Sequence, residues 1–171
     1  SHMTDVLEIN DIDQLEDYRL AWSSLLAATD SANIFQTLDW LKCYWRHFGD
    51  GQKLRVLIVN SGGRPVGIVP LTVIRESTRV GNVRVLTYPL HDWGWFYGPI
   101  GPNPAATLTA AMHYLSRTRR DWDLLDLRWV DNDRQDHGRT ERAMQAAGFS
   151  AQQGVWKQTA IVEFGGSFDD Y

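Results

Sequence analysis

Between Pro89 and Pro104 the chain reads PLHDWGWFYGPIGPNP, and this stretch holds the side chains best suited to chemistry. His91 and Asp92 are the types that serve as a general base and as the carboxylate that orients it. Neighbours in a loop seldom face each other, so adjacency alone does not make a dyad. Trp93, Trp95 and Tyr97 alternate beside them, and broad aromatic faces with polar edges suit stacking on a sugar or a peptide. The functional reading is a substrate platform with Asp92 hydrogen-bonding the bound group. Core packing and contact with a further lobe are competing uses of the same rings.

Other polar groups promise less. Asp123, Asp126 and Arg128 alternate along a strand, with Asp126 and Arg128 on one face as an ion pair. Asp131, Asp133, Asp136 and His137 precede a helix, where carboxylates favour the dipole. No spacing typical of a zinc site, nucleophile elbow or phosphate-binding Walker loop occurs, and no metal is expected.

A net charge of −4 and a pI near 5.7, with no basic stripe, exclude nucleic acid as a partner. The single cysteine, Cys43, forbids an internal disulfide and falls among helical residues as an inert buried thiol. No apolar run approaches the roughly 20 residues of a membrane span, and no signal peptide opens the chain. The expected compartment is the cytoplasm. Ser1-His2-Met3 resembles a tag remnant, leaving residues 4–164 as one domain.

Periodicity supplies the elements that must position the loop. Val6–Ile9 reads as a strand. Ile12, Leu15, Tyr18, Trp22, Leu25 and Leu26 make an amphipathic helix over 11–29, opened by Asp11 or Asp13, the latter with Glu16 at capping-box spacing. Thr37 caps a second helix with Leu38, Leu41, Tyr44, Trp45 and Phe48 on its apolar face, ended by a left-handed Gly49. Strands follow at 54–59, 66–74 and 80–88, the first apolar on both faces and therefore central. Ser61-Gly62-Gly63 turns one hairpin, Arg75–Arg79 is a polar turn, and Gly81 marks a bulge. Asn103-Pro104 opens a helix to about Arg119. A strand at 122–130, a helix at 140–147 and an extended segment at 155–164 complete the order β-α-α-β-β-β-α-β-α-β. That order is an α/β (α+β) fold, a mixed, mostly antiparallel sheet with helices on both faces.

The order resembles the GNAT acetyltransferase superfamily, as does Met144-Gln145-Ala146-Ala147-Gly148-Phe149, a late helix ending in Gly-Phe. Phe35 to Trp40 (FQTLDW), Val66 to Leu71 (VGIVPL) and Trp122 to Arg128 (WDLLDLR) resemble one branch together. It is the cellulose-biosynthesis-associated, CelD/BcsL-like branch, similar to the Fem-type aminoacyltransferases. The resemblance implies acyl transfer from acyl-CoA, and two GNAT-like lobes in tandem of which this is the first. Gly165-Gly166, then Ser167 and Asp170 at capping-box spacing, fit a linker and helix at 165–171 leading to the second lobe.

The resemblance also locates where acyl-CoA would sit if this lobe held it. An active member offers backbone N–H groups to the pyrophosphate from a loop patterned Gln or Arg, two residues, Gly, one residue, Gly or Ala. Here Gly98 replaces the leading Gln or Arg, Gly101 matches the first glycine and Asn103 replaces the second. Pro99, Pro102 and Pro104 have no N–H to give. The family's thiolate-protonating Tyr, four residues before the late Gly, is Met144, and a thioether is no acid. The expectation is a non-catalytic lobe that holds the acceptor, a small-molecule, glycan or peptide group, with acyl-CoA on the other lobe. A docking module without substrate and an autonomous acetyltransferase are the alternatives.

Overall fold

The computed structural model describes residues 3–30, 32–79, 81–89, 97–118, 120–127, 139–153 and 160–163. β1 (Thr4–Ile9) leads through a 3-10 segment (Ile12–Tyr18) into α1 (Arg19–Ala27), and a second 3-10 segment (Ile34–Gln36) precedes α2 (Leu38–Phe48). A meander of β2 (Lys53–Ser61), β3 (Arg64–Thr78) and β4 (Gly81–Thr87) follows. Then come α3 (Pro104–Arg117), β5 (Leu124–Leu127), α4 (Arg139–Ala146), β6 (Ser150–Gln153) and β7 (Ala160–Glu163). The seven strands form one sheet in the order β1-β2-β3-β4-β5-β7-β6. β4 and β5 run parallel, which requires the crossover through α3, while the other described pairs are antiparallel.

Each face of the sheet buries its own cluster. Leu57, Val69, Leu71, Val73 and Leu86 pack with Leu108, Met112 and Leu115 of α3 and Met144 of α4. Val56, Ile58 and Ile68, one residue out of phase, pack with Trp22 of α1 and Leu38 and Leu41 of α2. This two-sided burial is why residues 54–59 carry no polar alternation apart from Arg55. Glycine at 67 lets α3 lie directly on β3, because a Cβ there would run into the Thr107 side chain.

Arg55 stays charged in this interior because partners surround it. Its guanidinium spans Glu8 with bonds of 3.0 and 2.7 Å and reaches Asp121 at 3.1 Å. Tyr114 of α3 donates its hydroxyl to the same Glu8 carboxylate at 2.9 Å. Burial alone would raise the Glu8 pKa, but Arg55, Asn10 and Tyr114 outweigh it and hold it below the usual carboxylate value. Burial and the Glu8 bond push the Tyr114 phenol up to about 12.

The helix signals act as their chemistry requires. Thr37 Oγ1 accepts from the Trp40 amide at 3.1 Å, and Asn103 Oδ1 from the Ala106 amide at 3.3 Å. At the end of α4 the Phe149 amide bonds Met144 O at 3.0 Å and the Gly148 amide bonds Gln145 O at 3.0 Å, with Gly148 at φ 90°. That is a Schellman cap, and it turns Phe149 into the core.

Several expectations change. Residues 12–18 form 3-10 turns rather than α-helix, with Asp11 as the cap, accepting from the Asp13 amide at 2.9 Å. Glu16 therefore serves no capping box and instead pairs with Arg19 and Lys42. Gly49 is right-handed at φ −71°, and the left-handed residue is Gly51 at φ 78°. Glycine is needed at 49 because a Cβ would meet the Trp45 carbonyl and ring. Residues 75–78 are no turn, since they extend β3 against 81–84, and Gly81 closes that hairpin opposite Thr78 rather than forming a bulge. The chain after α4 forms a hairpin of two strands where one extended segment is expected. Cys43 is half-buried. Among the described residues no helix is long and apolar enough to cross a membrane.

Candidate functional site at the strand splay

The parallel seam between β4 and β5 is short. It pairs Val85 with Leu124 and Leu86 with Leu125, and there it stops. Both strands continue beyond it, Thr87 still pairing with Thr72 of β3, and Asp126 and Leu127 with Ile161 and Ala160 of β7. The seam is fastened at the opposite end, where the Asp123 carboxylate takes the Arg84 amide at 2.9 Å and the guanidinium at 3.2 Å. Burial works against the Asp123 charge, but these Arg84 bonds hold its pKa below the usual value. The strands thus splay at their carboxyl ends, the position where open α/β sheets bind ligands.

Two polar side chains flank the splay on the α1–α2 face. Thr87 and Asp126 occupy the register positions just past the last seam pair, 4% and 5% exposed. Their neighbours Leu86, Tyr88, Leu125 and Leu127 belong to the opposite cluster, so alternation directs both away from it. Thr72, the register partner of Thr87, bonds Gln52 Oε1 at 2.9 Å, and Tyr44 of α2 bonds the same oxygen at 3.2 Å. The Thr87 hydroxyl is buried and has no hydrogen-bond partner among the described residues. A buried polar group left open is uncommon enough to call for an explanation.

On the α3–α4 face, Tyr88 and Tyr97 stack with centroids 4.9 Å apart and planes at 30°. Burial above all, and Tyr88 beside it, push the Tyr97 phenol well above its ordinary value. Met144 is fully buried in the same cluster, so its position offers no proton donor to this face. Thr87 pairs with Thr72 and Ile100 with Ile68, and Val69, Pro70 and Leu71 separate these two pairs along β3.

Residues 98–104 are the loop expected to face a pyrophosphate. The Ile100 amide is bonded to Ile68 O at 2.8 Å, and the Gly101 amide to Thr29 Oγ1 at 2.8 Å. Gly101 is at φ 138°, and a Cβ there would lie 2.7 Å from the Val66 carbonyl oxygen. The Ala106 and Thr107 amides are both held by Asn103. With prolines at 99, 102 and 104, only Gly98, Asn103 and Ala105 keep amides without a partner among the described residues. The loop therefore does not fit a diphosphate cradle. It is instead bound inward, with Gln36 Nε2 reaching the Gly98 carbonyl at 3.2 Å and Trp22 Nε1 the Gln36 carbonyl at 2.8 Å.

Of the residues singled out in the sequence, His91, Asp92, Trp93 and Trp95 lie outside the described residues, as do Arg128, Asp131, Asp133, Asp136, His137 and 165–171. Tyr97 is 4% exposed and part of the core rather than a surface platform. Gly98, Gly101 and Asn103 adjoin one another on the inward-bound loop. Thr87 and Asp126 were not expected to matter, although a polar residue at the same step of two neighbouring apolar strands was a readable signal. Among the described residues, no group of His, Cys, Asp and Glu is placed to hold a metal.

No protein-family model and no curated protein matches the chain. Solved structures do. RimJ of Mycobacterium smegmatis, in complex with CoA-disulfide, aligns over 93% of this chain and 80% of its own, at 13% identity and a TM-score of 0.50. A protein assigned to the GNAT acetyltransferase family from Desulfovibrio desulfuricans aligns over 92% and 96%, at 13% identity and a TM-score of 0.49. The likeness to RimJ concerns the fold: the chain has a GNAT-like mixed sheet with a splayed parallel seam.

Proposed function

We propose that this chain is the acceptor-side lobe of a GNAT-type acyltransferase, and that it does not itself cradle acyl-CoA. The observation that carries the reading is the fate of the loop amides. Gly101 and Ile100, which would face a pyrophosphate, are bonded to Thr29 and Ile68, and three prolines remove further donors. Each absent bond to a charged group forfeits roughly 1.5–3 kcal/mol of binding. The buried Met144 removes the acid that would protonate a leaving thiolate.

The splay keeps what an acceptor needs. An amine or hydroxyl of a polysaccharide, lipid or peptide precursor must be oriented and partly desolvated before it attacks a thioester carbonyl. Thr87 offers an open hydroxyl and Asp126 a carboxylate at that opening, and Asp92, Trp93 and Trp95 follow Thr87 closely in the sequence. Acyl-CoA would be held by a second GNAT-like lobe reached through 165–171, as in the CelD-like branch that the sequence resembles. Such a protein would act in the cytoplasm.

Titration calorimetry of this chain with acetyl-CoA tests the reading. No saturable heat is expected, and a Kd below about 100 μM, or roughly −5.5 kcal/mol, overturns it in favour of an autonomous acetyltransferase.

A further inference from the structure

Far from the splay, at the other end of the sheet, β1 and α3 enclose a groove of about 570 Å³ lined by Thr4, Val6, Ala106, Ala110, His113 and Arg117 among others. β1 is the last strand of the sheet, so its outer backbone is unpaired among the described residues. Its phase can be read from the ladder. The Gly62 amide bonds Met3 O at 3.1 Å, and Thr4 pairs with Ser61. Inward-bonding residues recur at every second position of an antiparallel pair, so Asp5, Leu7 and Ile9 bond β2. Thr4, Val6 and Glu8 direct their N–H and C=O groups outward, along the groove.

The opposite wall is one face of α3. Ala106 and Ala110, four residues apart, leave room over the helix, and His113 and Arg117 stand exposed beyond them at the same spacing. Arg117 bonds the His113 carbonyl at 3.3 Å and has no carboxylate partner among the described residues. Asp5 also borders the groove, but Val6 packs toward α3, so alternation turns the Asp5 side chain to the other face. Tyr114 forms part of the wall with its hydroxyl committed to Glu8. An unpaired strand edge, a shallow floor of small residues and a cation at one end match an extended backbone bearing a negative charge.

We propose that this groove binds an extended peptide segment of a partner protein, added as a further strand on β1, with an acidic side chain directed to Arg117 and His113. The edge supplies affinity through alternate N–H and C=O groups, and the helix face supplies selection by charge. The site is independent of acyl transfer and stands whether or not the splay holds an acceptor.

The probe is an acetylated, amidated peptide, Ser-Thr-Val-Glu-Val-Thr-Ser, compared with its lysine-centred twin by fluorescence polarisation and amide NMR. The expected result is shifts at the Thr4, Val6 and Glu8 amides and tighter binding of the glutamate peptide. Val6→Pro removes one outward N–H that the β1–β2 ladder does not use, so it should keep the fold and weaken binding about three- to tenfold. Arg117→Glu, on an exposed helix face, should reverse the preference between the twins even if Val6→Pro melts early. Shifts confined to other surfaces, or equal binding of both peptides, overturn the proposal. So does a dimer in sedimentation that Val6→Pro dissociates, which would assign the edge to a second copy of the chain.

Discussion

The Gly101 amide donates to the Thr29 hydroxyl across 72 residues of sequence, and Thr29 donates its own O–H to the Leu25 carbonyl at 2.7 Å. A donor that an acyl-CoA-binding relative would turn toward phosphate is satisfied here by Thr29, two residues past the end of α1.

Thr29→Val should therefore lower stability by about 1–3 kcal/mol, since it strands the buried Gly101 amide. In a domain of this size that is a fall of roughly 2–4 °C per kcal/mol in Tm. Thr29→Ser keeps the hydroxyl and should recover most of it. Equal melting of the valine variant and the parent would show that Gly101 finds another acceptor, and the inward-bound loop would lose its anchor.

The Glu8 cluster predicts an acid limb. The folded pKa of Glu8 lies below its ordinary 4.5, so the stability it contributes is present above about pH 4.5 and fades as pH falls through the folded value. Glu8→Gln should cost about 3 kcal/mol at neutral pH, the low end for breaking a buried pair, because Asp121 remains on Arg55. The same change should flatten the loss of Tm below pH 4.5. Tyr114 behaves oppositely: its raised pKa favours the neutral phenol in the fold, so that contribution holds below pH 10 and is lost as pH rises toward about 12. Melts of Glu8→Gln and Tyr114→Phe across pH separate the two limbs.

Thr87→Val exchanges a buried, open hydroxyl for a methyl of similar size. If Thr87 is only structural, melting should hold or rise slightly, because an unpaired polar group has been removed from the interior. If it belongs to an acceptor site, the two-lobe protein should in addition show a raised acceptor KM with acetyl-CoA KM unchanged. A drop in Tm of the valine variant would show that the hydroxyl is bonded, removing the motive for placing it in the site.

Met144→Tyr should create no acetyl-CoA turnover. The position is fully buried, so a phenol there would overpack the α3–α4 core by about 1–3 kcal/mol. Turnover by the single variant, measured as free thiol release and absent in the parent, would mean that the loop and helix are a competent site needing only an acid.

Much of this fold was legible because its signals are local. Asn103-Pro104, Thr37 and Gly148-Phe149 each dictate a helix end by their own hydrogen bonds, and they do so here. The doubly apolar run at 54–59 required a central strand. What composition concealed was tertiary: polar residues 75–78 look like a turn but extend a hairpin, where pairing with β4 outweighs propensity. Pro70 was a missed clue to the site. Ile68 directs both its bonds toward Ile100, so two residues on, Pro70 turns its missing N–H to the same side, where the neighbouring strand has departed. The loop's shortage of amide donors was half readable, from its prolines, whereas the capture of Gly101 by Thr29 needed the fold. The burial of Tyr97 against Tyr88 joins residues nine apart in sequence, a contact that no local signal announces.

β3 holds the chain at Thr87, through its pair with Thr72, and again at Ile100, through reciprocal bonds with Ile68 at 2.8 Å each. With residues 87 and 100 both fastened to β3, the sequence between them can change length and composition without moving the register of β3 or the start of α3. On the acceptor-lobe reading, exchange of that one cassette would alter acceptor choice while the scaffold stays constant.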